Sequence, residues 1–183
     1  TYKNVSKWGK RVLGEVSPLD YDVILFLCNI PLHWRMVILL PKMKHVEAVD
    51  SMKGNVKVDV YTIWRWINDE LRCQWGLQEP MLTKDWTFVS RRNSIPMQKN
   101  SWDCGLYAVT YGMCVGLQAS FECITAQHIH AYRQQLILYM LNGDPQANIL
   151  IPSPWYNSLF LTSSTLFPRE RDRLYKSNIP TSL

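Results

Sequence analysis

The stretch HWRMVILLPKMKHVEAVD, residues 33 to 50, decides how this chain folds. Arg35 to Leu40 is an apolar run of buried-strand length. Pro41 to Lys44 has the composition of a turn, and His45 to Val49 alternates as a strand does. Two strands joined this closely read as an antiparallel hairpin. The midpoint of positions 33 and 50 falls between Pro41 and Lys42, inside the turn, so His33 and Asp50 are expected to face each other at the hairpin's open end. A carboxylate on one ring nitrogen fixes the tautomer and orientation of a general base.

Working outward, DVILFLCNI (22–30) reads as a further buried strand and WTFV (86–89) as a short one. VDVYTIWRWINDELRCQWG (58–76) has apolar residues at 60, 64, 67, 71 and 75, which marks an amphipathic helix with Asp59 as its N-cap and Gly76 as its stop. CGLYAVTYGMCVGLQ (104–118) reads as a second helix, and AQHIHAYRQQLILYML (126–141) as a third, closed by Asn142-Gly143. Strands cluster early and helices flank them, so the expected class is α+β, a central mixed or antiparallel sheet with helices around it. Residues 1–20 are a polar lead-in with weak periodicity, expected to be truncated. Residues 21–143 form the domain, and 144–183 a proline-punctuated tail.

Composition narrows the function. The 183 residues are 47% hydrophobic and 19% charged, which is globular rather than disordered. The net charge of +5 fits an acidic partner surface, but no Lys/Arg block argues for nucleic acid. The longest apolar runs are too short to span a membrane, and no signal-peptide architecture is legible. Five cysteines without a C-x-x-C pair disfavour a disulfide framework or a zinc cluster and point to a reduced intracellular compartment, nucleus or cytoplasm. No metal or organic cofactor is expected. His128 and His130 sit two apart on a helix and point to different faces, a poor ligand geometry, so they read as structural. His45 is expected at the solvent-exposed turn. Cys28, Cys73, Cys114 and Cys123 are expected to be buried, inert thiols.

Cys104 differs from these, because it opens a helix and precedes a glycine. A helix N-terminus carries free N–H groups and a partial positive charge, both of which favour thiolate. Gly105 leaves room for a substrate backbone to approach. Gln98, on the loop leading into the helix, could donate its side-chain amide to an oxyanion together with the Cys104 backbone N–H. Asp103 is expected to cap the helix, and Asn100 to shape the loop. The available constellation is Cys104 as nucleophile, His33 as base, Asp50 as orienter and Gln98 as oxyanion donor.

His33-Trp34, Asp50-Ser51 and the Q-x-N-x-x-D-C-G run from Gln98 to Gly105 resemble the Ulp1/SENP-type cysteine peptidases. The order His, Asp, Gln, Cys matches, over roughly residues 20 to 142. The resemblance implies a papain-like cysteine protease fold and cleavage after the C-terminal Gly-Gly of a ubiquitin-like modifier, most readily a SUMO-like one. The partners it implies are that modifier or its conjugates. It also implies that Trp34 walls a narrow channel for the modifier's tail. Two alternatives stay open: an acyltransferase of related fold, and an inactive modifier-binding module.

Overall fold

The computed structural model describes residues 5–91 and 95–142. The tail 144–183, with its Arg169–Arg173 charge run, lies outside the described residues. A helix, α1 (Ser6–Leu13), comes first, followed by a 3-10 turn at Pro18–Asp20. Four strands follow in the order β1 (Ile24–Ile30), β2 (His33–Leu40), β3 (His45–Val49) and β4 (Thr87–Arg91), with helix α2 (Lys57–Gln74) between β3 and β4. Helices α3 (Cys104–Gly116) and α4 (Ala126–Asn142) are the last elements among the described residues. The strands lie side by side in chain order. β1, β2 and β3 are antiparallel and β4 joins β3 in parallel, so the sheet is mixed. The fold is α+β and papain-like, as expected. The weak periodicity of residues 1–20 hid α1, which is only eight residues long and carries Gly9 inside it.

The chain divides into two compact units within α3, after Gly112. In the first, β2 is buried on both faces, which is why it reads as a continuous apolar run. One face sends Val37 and Leu39, with Val46 and Ala48 of β3, against Val56, Val60, Trp64, Ile67 and Leu71 of the α2 segment. Trp64 meets Trp86 at 4.7 Å between ring centroids, which clamps the start of β4 to the helix. Helix α2 starts after Val56, not Asp59, and ends before Gly76, whose φ of +69° suits glycine. The opposite face of β3 corrects one expectation: His45 is buried rather than solvated at the turn, with its Nε2 3.4 Å from Oε2 of buried Glu47. An internal partner at i+2 replaces solvent for this polar pair.

The hairpin register differs from the midpoint estimate. Leu40 pairs with His45 and Met36 with Val49, so the same ladder continued puts Asp50 opposite Arg35, two residues inward of His33. The ladder is centred between Lys42 and Met43, the middle of the Pro41–Lys44 turn itself, where Pro41–Met43 forms a 3-10 turn and Lys44 takes a left-handed φ of +49°. A two-residue slip keeps every side chain on its face, so His33 and Asp50 still share one face as diagonal neighbours.

In the second unit, Ser120 caps a 3-10 turn at Phe121–Cys123, and Thr125 Oγ1 accepts the His128 N–H at the start of α4. His128 Nδ1 contacts Cys123 O at 2.7 Å, a structural role as expected. Among the described residues no group of three His, Cys, Asp or Glu side chains could hold a metal ion. No helix there is long and apolar enough to cross a membrane.

Ile67 is fully buried between α2 and the sheet. Ile67→Ala is expected to destabilise the fold by about 2–5 kcal/mol through lost burial and a residual cavity. Urea unfolding followed by circular dichroism measures it.

Candidate active site

His33 opens β2 directly after a tight Pro31-Leu32 turn, in which Leu32 is fully exposed at φ +62°. Its Nε2 lies 2.7 Å from Asp50 Oδ1, and both residues are buried. Asp50 is 2% exposed, so a bare carboxylate there would be costly. The chain satisfies both oxygens. Oδ1 also accepts the Met52 N–H at 2.7 Å, and Oδ2 accepts the Gly54 N–H at 3.1 Å. Arg35 Nε forms an ion pair with Oδ2 at 2.9 Å, without its N–H aligned as a directed hydrogen bond. With Nε2 held on Asp50, the other ring nitrogen of His33, Nδ1, is buried and makes no hydrogen bond among the described residues. That nitrogen is free to exchange a proton.

Cys104 is the first residue of α3, and the Tyr107 N–H bonds to Asp103 O at 2.9 Å, so Asp103 holds the N-cap position. Asn100 shapes the approach. Its Oδ1 accepts the N–H groups of Trp102 and Asp103, and its Nδ2 donates to Asp103 Oδ2 at 2.6 Å. The preceding loop is tied down by Tyr111 O–H on Pro96 O and Tyr107 O–H on Met97 O. Gly112 brings α3 close to the sheet: a Cβ there would stand 2.9 Å from Met36 Cε and 3.2 Å from Leu25 Cδ1.

Gln98 is fastened to the strand that ends at the acid. Its backbone N–H donates to Ser51 O at 3.1 Å, and its Oε1 accepts the Ser51 hydroxyl. Nε2 donates one hydrogen to Asn100 O, and the amide's second hydrogen is not used by that bond. Trp34 and Gly105 meet directly: a Cβ on Gly105 would be in ordinary contact with Trp34 Cδ1 at 3.5 Å. Both line a cleft of about 560 Å³ with Cys104, and Leu32 and Trp102 stand on its rim. Trp102 is 70% exposed. The structure thus brings Trp34, Gly105 and Cys104 to one cleft, and joins Asp50 to His33 directly and to Gln98 through Ser51.

Two residues at the site escaped the sequence reading. Arg35 looked like the polar start of an apolar strand, although its place two residues after His33 puts it on the same face. Gly54 lies in no motif the sequence singles out, but a Cβ there would collide with Asp50 Oδ2 and lie 2.6 Å from Arg35 Nη2. The remaining cysteines are not uniformly buried. Cys114 is buried, Cys28 and Cys123 are half-buried, and Cys73 is exposed on α2, because it falls off that helix's apolar stripe.

A papain-like sheet and helix arrangement carrying a His–Asp pair and a helix-opening cysteine defines a class of protein, and comparison with known proteins narrows it. The chain belongs to the Ulp1 protease family: the sequence model of that family's C-terminal catalytic domain matches residues 1–142. Sentrin-specific protease 5 of Mus musculus is 25% identical over 122 residues, covering 66% of this chain and 15% of that protein. The probable ubiquitin-like-specific protease 2A of Arabidopsis thaliana is 32% identical over 129 residues, 60% of this chain and 16% of that protein. The chain therefore spans about a sixth of the length of these relatives. Among solved structures, the Ulp1-like SUMO protease catalytic domain of Chaetomium thermophilum superposes with a TM-score of 0.55 at 22% identity, over 66% of this chain and 46% of that one. The C-terminal Ulp1 protease domain in complex with Smt3, the yeast ortholog of SUMO, gives 0.52 at 21% identity, over 66% and 52%.

Gly54→Ala is expected to cost about 1–3 kcal/mol, because the added methyl must push apart Asp50 and Arg35. A denaturant titration against the parent chain tests this, and an unchanged midpoint would mean that the loop has slack to yield.

Proposed function

We propose that the chain is a thiol protease or isopeptidase that cleaves after the C-terminal Gly-Gly of a ubiquitin-like modifier, SUMO-like before others. The observation that carries this reading is the buried His33–Asp50 pair with Nδ1 left open, together with a cleft lined by the helix-opening Cys104. The relatives named sentrin-specific and ubiquitin-like-specific proteases support the choice of substrate class.

The reading assigns each step to a residue. The Cys104 thiol passes its proton to His33 Nδ1 as the sulfur becomes the nucleophile. The sulfur attacks the carbonyl carbon of the terminal glycine in the channel beside Trp34. The oxyanion is met by the Cys104 N–H and the second Nε2 hydrogen of Gln98. Collapse of the intermediate breaks the C–N bond, and the imidazolium gives its proton to the leaving amine. Water, deprotonated by the same nitrogen, hydrolyses the thioester and restores the thiol. Asp50 keeps the ring turned so that Nδ1 faces the sulfur throughout. Every role is filled by a side chain or a backbone N–H. A reduced intracellular compartment, nucleus or cytoplasm, suits a reaction that needs a free thiol.

A panel of ubiquitin-like proteins carrying an electrophile at the C-terminal glycine tests the reading by intact mass. One covalent adduct is expected, absent in Cys104→Ser, and the same variant is expected to lose turnover while keeping its fold. No adduct from any modifier, with Cys104 still labelled by a small thiol reagent, would remove the modifier assignment.

Asp50→Asn has a sharper expectation than a simple loss of charge. Each carboxylate oxygen accepts a backbone N–H, so an amide NH₂ must face a donor in either orientation. Turnover is expected to fall about 100-fold or more, and stability by about 1–3 kcal/mol. Steady-state kinetics on the folded fraction and a thermal melt measure the two effects. A full rate with a lowered melting temperature would make Asp50 purely structural.

A further inference from the structure

Arg35 is built into the site more firmly than a surface arginine on a strand would be. Its side chain is 13% exposed and reaches two carboxylates at once. Nε lies 2.9 Å from Asp50 Oδ2, and Nη1 donates to Asp59 Oδ2 at 2.7 Å and to Asn55 O at 3.2 Å. Asp59 is equally buried, in the first turn of α2. A lysine ammonium could satisfy one of these carboxylates, but only the planar guanidinium fork spans both.

The charges facing Asp50 fall in a definite pattern. His33 and Arg35 come from β2 and Asp59 comes from α2. Cys28 of β1 pairs with Arg35 across the strands. Burial, then the nearby Asp59, pushes its thiol up to about 11, so it is uncharged at neutral pH. A lone arginine against Asp50 would draw the carboxylate's field away from the imidazole. Asp59 cancels that effect.

We infer that Arg35 is a positioning residue for the catalytic pair: with Asp59 it forms an internally neutral brace that fixes Asp50 Oδ2 and leaves the full negative charge of Asp50 acting on His33. The inference rests on the thiol-protease reading for its meaning, but it is tested without any modifier. Removing the arginine deletes a cation near the His33–Cys104 system, whereas removing the charge of Asp59 deletes an anion. The two changes must move the acid limb of Cys104 reactivity in opposite directions. A brace that serves only to hold α2 on the sheet would lower the melting temperature in both variants and move neither limb.

The experiment is the pH dependence of Cys104 alkylation by iodoacetamide, read on the Cys104 peptide by mass spectrometry, in the parent chain, Arg35→Met, Arg35→Lys and Asp59→Asn. At a pH on the acid limb, Arg35→Met is expected to react about tenfold more slowly, and Asp59→Asn about threefold faster. Arg35→Lys, which keeps the cation but reaches only one carboxylate, is expected to fall between the parent and Arg35→Met. Coincident profiles in all folded variants would overturn the brace. Should Arg35→Met fail to fold, the acceleration in Asp59→Asn decides alone. The failures are separable. Opposite shifts without any modifier adduct would keep the brace and remove the modifier reading. A modifier adduct with coincident profiles would do the reverse.

Discussion

The architecture of this site depends on one buried carboxylate. Asp50 is almost wholly removed from water, and an ionised carboxylate there is tolerable only because all its acceptor directions are used. The Met52 and Gly54 amides, the Arg35 cation and the His33 ring each take a share. Several unrelated features serve this arrangement: the tight loop after β3, the absence of a side chain at 54, and the acid in the first turn of α2. Each is a condition on the backbone that follows from placing a charge in the interior.

Cys104 is positioned by a different route. Cys104 owes its place to the way α3 begins and to how closely the helix approaches the strands. Asn100 folds the entry loop onto the Asp103 cap, two tyrosine hydroxyls hold the loop's own carbonyls, and the small residues at 105 and 112 admit Trp34 and Met36. Ser51 and Gln98 join the two halves, since a hairpin end and a helix entry exchange two hydrogen bonds there. The His33–Asp50 pair is local in sequence, whereas the place of Cys104 is set by packing.

What was legible in the sequence divides along the same line. Periodicity revealed β1, β2, β3 and α2 to within a few residues, because each has an apolar pattern set by burial. The His33–Asp50 pairing was legible because a hairpin needs only local geometry, and even the two-residue register error preserved the face. The brace was not legible. Nothing in the spacing of Arg35, Gly54 and Asp59 says that a loop folds back between a strand and a helix, and Asp59 resembled a helix cap because acids favour first turns for two separate reasons. His45 was misread for a related cause: a polar residue beside a turn looks solvated unless its partner, Glu47, is known to be buried with it.

The placement of the tryptophans has a further consequence. Trp64 and Trp86 pack against each other in the core, whereas Trp34 and Trp102 stand at 38% and 70% exposure beside the cleft. Four of the chain's eight tryptophans thus form two pairs in different surroundings. Emission from the core pair follows unfolding, and emission from the cleft pair follows the local polarity around Cys104. Changes in the cleft and loss of the fold thus act on different tryptophans of the unlabelled protein.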